Sequence, residues 1–131
     1  MKKLTLAAAL GCAVCLLAAT ASFAGPEHHG RISPQQKQAS DQAIQAGLGQ
    51  LQAAAAAIQQ GNGGGAISDL QAAESALTSA LPIYHGHREH AMHAADHAIK
   101  ELQANRKKSL EHASVSVGKA ISEAQAALQS N

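Results

Sequence analysis

The feature that most restricts this chain is a run of apolar residues, Ile44, Leu48, Leu51, Ala55 and Ile58, separated by steps of four, three, four and three. That alternation keeps side chains on one face of an α-helix, whereas a strand repeats every two residues. The pattern resumes at Ile67, Leu70, Leu77 and Leu81, again at Met92, Ala95, Ile99 and Leu102, and finally at Val117, Ile121, Ala124 and Leu128. Four such segments with short connections predict an all-α fold, an up-down-up-down antiparallel four-helix bundle.

The residues between the segments supply starts and stops. Ser33-Pro34-Gln35-Gln36 reads as a helix start, with serine as N-cap, proline at the first helical position and glutamine three after the cap. Gly61-Asn62-Gly63-Gly64-Gly65 breaks the first helix, Pro82 closes the second, and a turn near Asn105 to Lys108 separates the third from the fourth. Gly47 and Gly49 lie inside the first helix, where each costs about 1 kcal/mol relative to alanine. Both are expected to serve close packing of a neighbouring helix.

The second half of the chain repeats the first. Met92, Ala95, Ile99 and Leu102 stand 44 positions after Leu48, Leu51, Ala55 and Ile58, and Leu110 and Ala113 follow Ile67 and Leu70 by 43. This spacing predicts two similar helical hairpins, about 33–81 and 83–129, derived from one duplicated unit.

Residues 1–24 carry Lys2 and Lys3, then an apolar run from Leu4 to about Ala19, then Ser22-Phe23-Ala24, which is the pattern of a secretory signal peptide. Residues 25–32 are expected to be a flexible polar leader, leaving 33–131 as the bundle domain and predicting a periplasmic or secreted protein without a permanent membrane anchor. Both cysteines, Cys12 and Cys15, fall in the removed segment, so any metal site must use nitrogen and oxygen. Loss of Lys2 and Lys3 lowers Lys+Arg from 10 to 8 against 9 acids, a balance of −1 that argues against nucleic acid as a partner. With Tyr84 as its single aromatic, the exported chain has little with which to line a substrate pocket. No strained nucleophile turn, Ser-His-Asp set or H-E-x-x-H motif is present, so an enzyme is not expected. Nor is there a C-x-x-C-H for attaching haem.

Chemistry concentrates in "PIYHGHREHAMHAADHA", residues 82–98, which holds five of the eight histidines. On a helical wheel His90, His93, His97 and Glu101 gather opposite Met92, Ala95, Ile99 and Leu102. Histidines three and four residues apart on one helix can direct imidazoles at a common point. Glu89 and Asp96 offer oxygen donors nearby, and a bend at Gly86 brings His85 and His87 within range. His112, early in the fourth helix, is level with Lys100 and Glu101 across the hairpin and is a candidate partner for His97. Imidazole donors suit Cu(II), Ni(II) and Zn(II), with Cu(II) bound most tightly in an unconstrained site. A pH-responsive surface is the other use of such a stripe, since imidazole titrates near pH 6.5 when unperturbed. His28-His29 does not form an amino-terminal copper motif, because cleavage after Ala24 puts histidine fourth and Pro26 lacks the required amide N–H.

The segments "HAMHAADHAIKEL", 90–102, and "SLEHASVSVGKAISEAQAAL", 109–128, look like a repeated His-Ala-x-x-Ala-Ile pattern. In this, mainly over residues 85–128, the chain resembles the small metal-binding protein family of periplasmic His-rich four-helix bundles. The resemblance implies binding of several divalent ions, copper favoured, with a role in metal buffering or tolerance. That family spreads histidines over all its helices, whereas residues 33–84 here contain none. The expected function is therefore an exported metal binder using His85, His87, His90, His93, His97 and His112 with Glu89, Asp96 and Glu101. A metal-linked homodimer is one expected consequence of ligands on an exposed face. The alternative is a periplasmic structural, interaction or stress-related helical protein without a metal role, binding an unidentified partner.

Overall fold

The computed structural model describes residues 31–130. Residues 1–30, where a signal peptide and a polar leader are expected, and Asn131 lie outside the described residues. Four helices follow in order, α1 Pro34–Gln59, α2 Gly63–Ser79, α3 His87–Gln103 and α4 Ser109–Gln129. Each packs against two neighbours in the cycle α1–α2–α3–α4, most extensively within the α1–α2 and α3–α4 hairpins. The described residues form an antiparallel four-helix bundle. Among the described residues, no helix is long and apolar enough to cross a membrane.

Local chemistry explains the boundaries. Ser33 and Gln36 form the expected reciprocal cap, with Ser33 Oγ accepting from Gln36 N at 3.1 Å and Gln36 Oε1 accepting from Ser33 N at 2.9 Å. Gly61 ends α1 at a φ of +73°, the left-handed conformation that glycine adopts without a Cβ clash. The break is shorter than the glycine run suggests, because Asn62 accepts from Gly65 N at 2.9 Å and α2 already begins at Gly63. A good N-cap thus offsets the poor helix propensity of the three glycines that follow. At its other end α2 stops at Ser79, two residues before the expected Leu81, because the chain turns extended at Ala80 ahead of Pro82.

The core is built largely of alanine, with Ile44, Leu51, Leu70, Leu77, Val117 and Tyr84 as its largest fully buried side chains. Small side chains let the helix backbones approach closely. Gly47 is the sharpest case: a Cβ there would lie 2.9 Å from both Cγ and Cδ2 of Leu77 on α2. Gly49, expected to pack in the same way, does not, since a Cβ there meets nothing within 4 Å. Two positions along a helix rotate the side-chain direction by about 200°, so only one of the two glycines faces α2.

Burial matches at three of the four aligned pairs and differs at the other, where Ala55 is half-buried and Ile99 is buried. Leu51 and Ala95 are both buried, as are Ile58 and Leu102, while Leu48 and Met92 are both half-buried. Leu110 departs from the expected seam and is 39% exposed. It lies in the first turn of α4 beside Gly63, which has no side chain to cover it.

The α2–α3 connection is tied to the start of α1. Tyr84 is fully buried and its hydroxyl donates to Asp41 Oδ1 at 2.9 Å, while the buried Ser40 Oγ accepts from Leu81 N at 2.7 Å. His85 and Gly86 then take positive φ values of 49° and 83°, and the chain enters α3 at His87. This turn aims the histidine face of α3 along α4.

Candidate metal centre

Alternate turns of α3 bury Ala91, Ala94, Ala95 and Ala98, which leaves His90, His93 and His97 exposed along the edge facing α4. His90, His93, Ala94 and His97 from α3, with Ser116, Lys119 and Glu123 from α4, line an open groove of about 500 Å³. At the α3 N-terminal end of the groove His90 and Glu123 meet His87, with one donor atom from each of the three lying within 4.8 Å of the other two.

The three groups are already coupled. Glu123 Oε2 lies 2.7 Å from His87 Nδ1 and 3.7 Å from His90 Nδ1. An ionised carboxylate only accepts, so in the 2.7 Å contact His87 Nδ1–H is the donor. That hydrogen bond, with the nearby imidazoles and Lys119, outweighs desolvation and holds the Glu123 carboxyl below its ordinary value. A depressed folded value adds stability that is present above the unfolded glutamate value of about 4.3 and is lost as pH falls through the folded value. Glu123→Gln should therefore lower stability at pH 7 and flatten the acid limb of a stability–pH curve between about pH 5 and 3, measured by urea unfolding, so that variant and wild type converge at low pH.

Two imidazoles and a carboxylate are donors for a first-row divalent ion, which holds nitrogen and oxygen ligands at about 2.0–2.2 Å. Donors bound to one ion sit about 3–3.5 Å apart in tetrahedral geometry, so the distances here require side-chain adjustment without backbone movement. The ion would replace the His87–Glu123 hydrogen bond, and an open groove leaves its remaining positions to water or another ligand.

The other expected donors are distributed as follows. Glu89 turns to its neighbour, with Arg88 Nη2 donating to Glu89 Oε1 at 2.6 Å and Arg88 Nη1 donating to the Ala80 carbonyl at 2.5 Å. Desolvation pushes Glu89 up, but its own backbone N–H and Arg88 leave its carboxyl below the ordinary value. Asp96 pairs with Lys100 at 2.5 Å, one helical turn along. Glu89 and Asp96 line a separate groove with Glu74, whose carboxyl is raised by burial and by Asp96. His85 is exposed in the α2–α3 connection and outside the three-donor group. His97 Nδ1 lies 3.1 Å from Ser116 Oγ, and His112 Nδ1 lies 3.5 Å from Glu101 Oε2, so His112 meets Glu101 instead of His97.

Glu123 is the donor that wheel reasoning on α3 alone does not find. The signal was present in the hairpin itself: folding the chain about the midpoint of residues 105–108 sets 123 level with 90, 116 with 97 and 112 with 101. Comparison of the chain with protein families, characterised proteins and solved structures finds no match.

Proposed function

We propose that this protein is an exported binder of divalent transition metals, Cu(II) foremost and Ni(II) or Zn(II) more weakly, acting in the periplasm or outside the cell as a metal buffer or tolerance factor. The observation that carries this reading is the convergence of His87, His90 and Glu123 within 4.8 Å. Copper leads because the stability order of divalent ions peaks there for imidazole and carboxylate donors in a site of no enforced geometry. Partial exposure of all three residues fits an ion that is taken up and released. The chain's likeness to the small metal-binding protein family supports the same reading, as does the signal-like segment at residues 1–24.

The test is calorimetric titration of residues 25–131 with Cu(II), Ni(II) and Zn(II). Saturable copper binding is expected, weakened at least about tenfold by His87→Ala with His90→Ala, as loss of two imidazole ligands from a site of this kind requires. Glu89→Gln with Asp96→Asn should leave it unchanged. Equal and feeble binding by the wild type and the histidine variant would overturn the proposal.

A further inference from the structure

The α3–α4 groove repeats its donor chemistry at the other end. Glu101 follows His97 by one helical turn on α3, and Ser116 follows His112 by one turn on α4. Across the interface His97 faces Ser116 at 3.1 Å and Glu101 faces His112 at 3.5 Å. These four residues form a quadrilateral in which each side chain has one neighbour along its helix and one across the hairpin. Its donors are two imidazoles and a carboxylate, the same set as at His87, His90 and Glu123.

We infer that His97, Glu101 and His112 form a second divalent-metal centre, so that one chain carries two ions along a single groove. The inference rests on the proposed metal-binding role, and adds to it a second site and a fixed stoichiometry. Rotation of the His97 ring away from Ser116 brings its nitrogen toward the Glu101–His112 pair, since residues four apart on a helix are side-chain neighbours. Both imidazoles belong to exposed residues, so the rotation disturbs no core contact. His97 has only a hydroxyl opposite it and must move to ligate, whereas His87 and His90 already converge. The second centre therefore fills after the first. Lys119 lies in the groove and opposes a third ion between them.

The two donor sets are centred near residues 88 and 99 of α3. At 1.5 Å per residue their ions stand ~16 Å apart, within the range of dipolar coupling between two Cu(II) spins. Pulsed electron paramagnetic resonance on dilute protein given excess Cu(II), with the bound metal counted after desalting, should return two ions and a distance near 16 Å. Glu101→Gln with His112→Ala should keep one ion and abolish the coupling, and His87→Ala with His90→Ala should do the same. Circular dichroism checks that these exposed substitutions leave the helices intact. A single ion in the wild type, kept by the Glu101/His112 variant and lost by the His87/His90 variant, would overturn the second centre and leave the first standing. No retained copper in the wild type would overturn both.

Discussion

Replacing Tyr84 with alanine should cost about 3–5 kcal/mol, the range for emptying a buried aromatic site, and lower the melting temperature by roughly 15–25 °C for a domain of this size. The effect is large because the rest of the core is so small. Alanine fills most buried positions, so apolar stabilisation rests on a few larger side chains, and Tyr84 is the bulkiest of those fully buried. Its removal also frees the connection that Tyr84 pins to Asp41 and that leads into α3. Tyr84→Phe separates the two contributions. It keeps the ring and loses only the hydroxyl's hydrogen bond, which is worth about 1 kcal/mol. Thermal melts followed at 222 nm should place the phenylalanine variant close to the wild type and the alanine variant far below it. Similar melting points for all three proteins would mean that Tyr84 does not anchor the connection.

The second large effect is expected at Gly47, where leucine should destabilise the protein by about 3 kcal/mol or more through overpacking. The contact is with the fully buried Leu77, which has no solvent into which to swing, and the Ala73 carbonyl oxygen stands 3.4 Å from the same Cβ position. Leucine is a good helix former, so propensity works against the predicted loss and cannot explain it. Gly49→Ala provides the opposite sign. With nothing within 4 Å of its Cβ, alanine there should stabilise the helix by up to about 1 kcal/mol. Urea unfolding of the two variants should move the midpoint in opposite directions. A neutral Gly47→Leu would mean that α1 and α2 have room to part.

Much of this protein was set by the chain alone. Apolar steps of three and four fix helices because side-chain direction along a helix depends only on local geometry, and this located α1 to α4 and their buried faces. The same rule put His90, His93 and His97 on the face away from Met92, Ala95 and Ile99. It identified the Ser33 cap and the turn at 105–108 for the same reason, since caps and turns are contacts between near neighbours in sequence.

What local periodicity does not contain is which side chains meet across an interface. Gly47 and Gly49 look alike in sequence, and only the approach of α2 separates them. Glu89 and Asp96 stand beside the histidines in the chain but turn to Arg88 and Lys100, because a cation within a turn satisfies a carboxylate before a more distant imidazole can. Glu123 lies 33 residues beyond His90 in the chain and reaches it only because the α3–α4 hairpin closes in this register. Periodicity fixed the faces of the helices, and the tertiary structure decided the partners, since register is set by packing over the whole length of two helices.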